Sequence, residues 1–147
     1  FAETLRAYLE RWEEQSGVAV ALITEPEHGF APRLDATGEL QLLRIIQEAL
    51  ANVRKHSGAR VVTVHLLETP EWVEARIEDN GRGFDPAELR RADYPRFGLA
   101  MMHERAESVG GAFEVVSERG TGTRVSVRLP AARVAAPVIA RPEGGPS

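Results

Sequence analysis

Residues 71–79, EWVEARIED, alternate without a break: Val73, Ala75 and Ile77 share one face, and Glu74, Arg76 and Glu78 share the other. A strand of this pattern belongs in a sheet with one covered face and one wet face. Asp79 has the parity of the apolar set, so the sequence sends a carboxylate toward the covered side. A charge placed there is costly unless something bonds to it. Residues 123–130, TRVSVRLP, repeat the arrangement. Val125, Val127 and Leu129 alternate with Arg124, Ser126 and Arg128, and Thr123 has the buried parity. A threonine in that place can equally bond to a nearby backbone carbonyl, a reading that stays open.

Asp79 begins the stretch DNGRGF, residues 79–84. Asp-Asn-Gly after an alternating run reads as a hairpin turn. The residues that follow, FDPAELRR, do not alternate. They carry helix-start signals instead, with Asp85 as N-cap, Pro86 at the first helical position and Glu88 two further on. The stretch therefore reads as one that holds something.

Around these strands the chain reads as helix 1–15, strand 18–24, loop 25–38, helix 39–57, strand 59–68, strand 71–79, short helix 85–91, loop 92–98, helix 99–109, and strands 112–118 and 123–130. Short connections between consecutive strands imply antiparallel pairs. The expected fold is α+β: a two-layer sandwich with a mixed, mostly antiparallel sheet of about five strands and helices on one face. The organisation expected is a connecting segment at 1–16, one domain at 17–130 and a disordered tail at 131–147. The apolar face of helix 1–15 (Phe1, Leu5, Tyr8, Leu9, Trp12) either continues into a missing dimerisation region or packs on this domain.

The helix at 39–57 is the most periodic segment. Leu42, Ile46, Ala49 and Val53 form its apolar stripe, flanked by Leu43 and Leu50. Glu48, Asn52 and His56, four residues apart, border that stripe, and Arg44, Gln47, Arg54 and Lys55 lie opposite. The Glu/Asn/His line is either solvated surface or the wall of a pocket. Its oxygens are hard ligands of the kind Mg²⁺ accepts.

Composition narrows the function classes. No cysteine means no disulfide, thiol nucleophile or cysteine-bound zinc. A net charge of −4 argues against a dedicated nucleic-acid binder. The apolar runs fall far short of the ~20 residues that span a membrane, so no direct membrane contact is expected. No basic start followed by an apolar stretch marks a secretory signal. The chain opens on Phe1 and reads as a piece of a longer protein.

Gly81, Gly83, Gly98, Gly120 and Gly122 stand at element boundaries. Such glycines permit turns, and they also let backbone approach a phosphate; Gly98 directly precedes a helix N-terminus. Together with the buried-parity Asp and the Glu/Asn helix edge, they complete a resemblance. QEALANVRKHSGA resembles the N box of the GHKL (Bergerat-fold) ATP-binding domains, and DNGRGF their G1 box. FGLAMMHERAESVGG resembles the G2 region, and RGTGTRVSVRLP the closing G3 strand. The order matches from about residue 40 to 130. The G2 form is similar to that of nitrate-sensor-like and membrane-fluidity-sensor-like histidine kinases, although Met101 stands where Gly is usual and His103 where Arg is usual.

The resemblance implies an ATP site. Asp79 would accept from the adenine amino group, with Thr123 supporting the base through a shared water. Asn52 would ligate Mg²⁺, with Glu48 nearby as an outer partner or acid–base group. Lys55 and His56 would lie near the phosphates and nucleotide. Gly81 and Gly83 would pass close around the base, Gly98 and Leu99 would open the helix facing the phosphates, and residues 84–97 would form a lid.

The implied activity is transfer of the ATP γ-phosphoryl group to a histidine on a dimerisation helix, followed by signalling to a response regulator. The whole protein would be a homodimer, and this domain cytoplasmic. His28, His56, His65 and His103 do not fit the acceptor's place, so the acceptor is expected outside this chain. A nucleotide-binding module without turnover, a GHKL ATPase in which Glu48 activates water, and an anti-sigma-type serine kinase are the alternatives.

Overall fold

A computed structural model describes residues 1–85 and 98–132. Five strands form one sheet: β1 (Ala19–Glu25), β2 (Val61–Glu68), β3 (Trp72–Asp79), β4 (Ala112–Glu118) and β5 (Gly122–Pro130). Their order across the sheet is β1-β2-β3-β5-β4. β1 runs parallel to β2, and the other three pairs are antiparallel. The expected α+β fold, a mixed and mostly antiparallel five-stranded sheet, is the one observed. The parallel pair requires a crossover, which α2 (Ala36–Asn52) supplies.

The helices pack on one sheet face. Leu42, Ile45, Ile46, Ala49 and Leu50 of α2 meet Val62, Val64, Leu66, Val73, Ala75, Ile77, Val125, Val127 and Leu129 in one core. α3 (Leu99–Glu107) adds Leu99, Met102 and Ala106. The other sheet face is a polar ladder. Glu74 pairs with Arg76 at 2.8 Å and with Arg128 at 3.6 Å, and Arg128 also lies over the Trp72 ring. With both arginines exposed to solvent, such pairs contribute little to stability, so burial on the helical side carries the fold.

α1 (Ala2–Ser16) buries Leu5, Leu9 and Trp12 in this same core, with Phe1, Ala2 and Tyr8 packed at its margin. Its apolar face therefore rests on the domain. Gly17 ends it in the left-handed conformation, and the Glu13 carboxylate returns to accept from the Val20 N–H at 3.0 Å, tying the helix to the outer edge of β1.

Several boundaries differ from the sequence reading by one or two residues, and one by more. α2 begins at Ala36, three residues before the expected start, because Asp35 caps it by accepting from the Gly38 N–H at 2.8 Å. A glycine in the first turn masked that start. The helix also leaves α geometry after Asn52. Val53–Ser57 form a π turn, closed by Gly58 with φ 67°. Inside it the Ser57 hydroxyl donates to the Val53 carbonyl at 2.7 Å and accepts from the Ala59 N–H at 2.9 Å. The short helix expected at 85–91 and most of the lid expected at 84–97 lie outside the described residues, as does the tail beyond Ala132.

Because α1 supplies core residues, Leu5→Ala should destabilise the chain about as much as Leu42→Ala in α2. Each removes a fully buried leucine, at a cost of about 2–5 kcal/mol. Urea unfolding measures both. An unchanged midpoint for Leu5→Ala would mean that α1 is a dispensable connector.

Candidate functional site

The strand register lays one row across the covered face. Val62 of β2 opposes Asp79 of β3, Asp79 opposes Thr123 of β5, and Thr123 opposes Ser117 of β4. The next row inward (Ile77, Val125, Val115) is apolar. The sheet face thus ends in a polar step of one carboxylate and two hydroxyls. Above it opens a cavity of about 270 Å³.

The Asp79 side chain shapes the start of the DNGRGF stretch. Its Oδ1 accepts from the Gly81 N–H at 2.8 Å, a bond two residues along that turns the backbone. Asn80 Oδ1 accepts from the N–H groups of Arg60 and Val61 at 3.0 and 3.2 Å, stapling the end of β3 to the start of β2. The Arg82 N–H donates to the Ser57 carbonyl at 2.8 Å, and the Arg82 carbonyl accepts from the Gly120 N–H at 2.7 Å. The stretch therefore runs between the π turn and the β4–β5 turn and makes no hairpin. Both passages are too tight for a side chain. A Cβ on Gly81 would strike Ser57, and one on Gly83, at φ 62°, would strike the Glu118 carbonyl.

Burial pushes the Asp79 carboxyl above its ordinary value, while the backbone N–H groups of Gly81 and Thr123 pull it back. Thr123 and Ser117 hydroxyls lie 2.8 Å apart. The opposite wall comes from the end of α2 and its π turn, through Asn52, Lys55 and His56. Helical spacing placed Lys55 on the far side of the helix from Asn52. The departure from α geometry after Asn52 ends that phase, and both residues line the cavity. Leu99 closes the α3 side, and Arg82, Gly83 and Phe84 the side of the DNGRGF stretch.

Of the ten residues singled out in the sequence, Asn52, Lys55, His56, Asp79, Gly83, Leu99 and Thr123 line this one cavity. Gly81, Gly98 and Glu48 are not among its lining residues. Gly81 shapes the turn. Gly98, at φ 65°, begins α3 against Glu48: a Cβ there would lie 2.5 Å from the Glu48 carboxylate. Met101 and His103 point away, Met101 half exposed and His103 paired with Glu107 at 3.2 Å. Sequence reasoning missed Ser117, Ser57, Arg82 and Asn80. Ser117 carried a usable signal, since it shares the parity of Phe113 and Val115 as Thr123 shares that of Val125. The contacts of Asn80 and Ser57 are set by the turns alone and have no such signature.

With its carboxyl shifted upward, Asp79 binds a proton more tightly in the folded chain than in the unfolded one. Its contribution to stability is therefore fullest at acid pH and falls as pH rises through the folded-state value. Asp79→Asn removes that loss. The variant should gain on the wild type between about pH 4, the ordinary carboxylate range, and pH 7, as read by urea unfolding at both. A variant that instead falls behind at pH 7 would mean that its partners hold Asp79 charged.

Over 130 residues the chain is 36% identical to the signal transduction histidine-protein kinase/phosphatase DegS of Bacillus subtilis, covering 86% of this chain and 33% of that one. It is 42% identical over 92 residues to the sensor histidine kinase LiaS of the same organism, covering 63% of this chain and 25% of LiaS. The chain thus spans between a quarter and a third of the length of these relatives. The fold is similar to that of the mycobacterial sensor histidine kinase MprB, with TM-score 0.68, 22% identity, and coverage of 90% of this chain and 97% of that one. It is also similar to the histidine kinase domain of the blue-light activated kinase EL346 from Erythrobacter litoralis, with TM-score 0.66, 21% identity, and coverage of 85% and 60%. Residues 37–133 match the family of histidine kinase-, DNA gyrase B- and HSP90-like ATPases, and the chain belongs to that family.

Proposed function

We propose that this chain is the ATP-binding catalytic domain of a sensor histidine kinase. It delivers the ATP γ-phosphoryl group to a histidine on dimerisation helices outside the chain, for onward signalling to a response regulator. The observation that carries the reading is the polar step at the end of the covered sheet face. A half-buried carboxylate there has cavity space before it and two backbone donors behind it. It matches a base that offers an amino group, as adenine does. The similarity to DegS and LiaS supports a kinase over a stand-alone ATPase or a serine kinase.

In this reading Asp79 accepts from the adenine amino group, and Thr123 supports the same edge through a shared water. Gly81 and Gly83 keep the backbone low enough for the base to pass. Lys55, His56 and the start of α3 at Gly98 and Leu99 face the phosphates, where cationic and backbone donors offset charge. Mg²⁺ fits the donor set. Among the described residues no three His, Cys, Asp or Glu side chains gather to hold a metal by themselves. Asn52 offers an amide oxygen on the cavity wall, which suits an ion that takes few protein ligands and completes its shell with phosphate and water. Bound there, the ion would draw charge from the phosphate oxygens. Glu48 lies against Gly98 at the start of α3, where it serves as an outer partner or acid–base group.

The four histidines do not serve as acceptor. His56 is part of the cavity wall. His65 is paired with Glu25 on the polar sheet face at 2.7 Å, His103 is on the outside of α3, and His28 lies in an exposed loop. In-line attack requires a nucleophile within roughly 3–3.5 Å of the phosphorus. The acceptor helices therefore come from elsewhere in a homodimeric, cytoplasmic assembly. No helix among the described residues is long and apolar enough to cross a membrane.

Two measurements test the reading. Asp79→Asn should weaken ATP and ADP binding by roughly 10–150-fold, the loss of about 1.5–3 kcal/mol from a bond to a charged group; calorimetry in a folded variant that finds equal affinity contradicts it. With γ-labelled ATP, this chain alone should take up no stable phosphate, while adding a dimerisation-helix fragment should yield acid-labile label on that fragment. Asn52→Ala should impair this transfer more than nucleotide binding in EDTA. Stoichiometric label on the isolated chain, lost in His56→Ala or His28→Ala, would overturn the proposal.

A further inference from the structure

Ser117 belongs to none of the roles above, yet it is buried and its hydroxyl has three close neighbours. It accepts from the Phe84 N–H at 2.8 Å. It reaches the Gly122 carbonyl at 3.2 Å and the Thr123 hydroxyl at 2.8 Å. A carbonyl can only accept, so the Gly122 contact is a hydrogen bond only if Ser117 donates to it. A serine hydroxyl has one hydrogen. Once that hydrogen points at Gly122, the contact with Thr123 is a bond only if Thr123 donates. This assignment satisfies all three contacts. The alternative, with Ser117 donating to Thr123, leaves two oxygens facing each other at 3.2 Å with no hydrogen between them, in a buried place where polar groups are normally paired.

We infer that Ser117 is a positioning residue for base recognition: it takes the Thr123 hydrogen and so turns Thr123 into an acceptor on the cavity side. The inference rests on the adenine reading and sharpens it. Asp79, when ionised, offers only lone pairs. With Thr123 fixed the same way, the polar step presents acceptors alone. A 6-aminopurine, or a water donating on its behalf, meets that surface well. A 6-oxopurine brings its own acceptor and is rejected. Without the Ser117 hydroxyl, Thr123 is free to rotate its hydrogen into the cavity and donate to the oxo group. Through Phe84 the same hydroxyl also holds the end of the DNGRGF stretch, so base choice and the entry to the following segment share one atom.

The test is calorimetric titration of the chain with ADP and inosine diphosphate, which differ at the 6-position. The wild type prefers ADP. In Ser117→Ala the ADP-to-inosine-diphosphate affinity ratio falls by roughly 3–10-fold, the range of one neutral hydrogen bond, mainly because inosine diphosphate binds better. Thr123→Val lowers the ratio too, and adding Ser117→Ala in that background changes it no further. If Ser117→Ala loses its fold, Ser117→Cys keeps the volume, weakens the acceptor and moves the ratio the same way. An unchanged ratio, with both nucleotides weakened equally, makes Ser117 a purely structural residue and overturns the inference. So does a Ser117 effect that persists in Thr123→Val. Failure of the wild type to bind either nucleotide overturns the adenine reading itself, and this inference with it.

Discussion

A carboxylate at the end of an apolar sheet row is the constraint on which the site depends. Asp79 continues the parity of Val73, Ala75 and Ile77, so β3 cannot bury its apolar face without carrying the carboxylate in the same direction. Left alone, that group would oppose folding. The chain offsets the cost locally, with the backbone N–H groups of Gly81 and Thr123, and leaves one side open to the cavity.

The rest of the site is built from backbone approach. Ser57 is the meeting point: its hydroxyl closes the π turn, and its carbonyl accepts the Arg82 N–H. Gly81 lies against Ser57, Gly83 against the Glu118 carbonyl, and Gly122 against the Asp79 carbonyl where the stretch begins. These close passages join the end of α2 to the ends of β3 and β5. They bring Asn52 and His56 over the polar step. A widened turn at this point fits the tendency of π bulges to occur where function needs a side chain re-aimed.

Much of this was legible in the sequence. Period-two alternation located β3 and β5 and, through parity, Asp79 and Thr123. The same rule applied to AFEVVSE would have found Ser117. Period 3.6 located α2 and its Asn52 edge. The helix ends were less legible. Period 3.6 sends Lys55 to the far helix face, because nothing in VRKHS announces the loss of α geometry. The first turn of α2 reads as loop, because Gly38 outweighs the Asp35 cap. Both misses share a cause: they depend on hydrogen bonds at helix ends, which leave a weaker mark than apolar periodicity. The apolar face of helix 1–15 was plain in the sequence, but its partner was not, and only the packing of Leu5, Leu9 and Trp12 into the core identifies it.

The central claim is that the polar step on the covered sheet face receives the base of an adenine nucleotide. Amide chemical shifts of the isotope-labelled chain, followed while ADP is added, address it residue by residue. The largest changes are predicted at Gly81, Gly83 and Thr123, with smaller ones along the π turn and little at Glu74, Arg76 or Arg128 on the polar face. A response centred on that polar face, or none at Gly81 and Thr123 at saturation, would contradict the account.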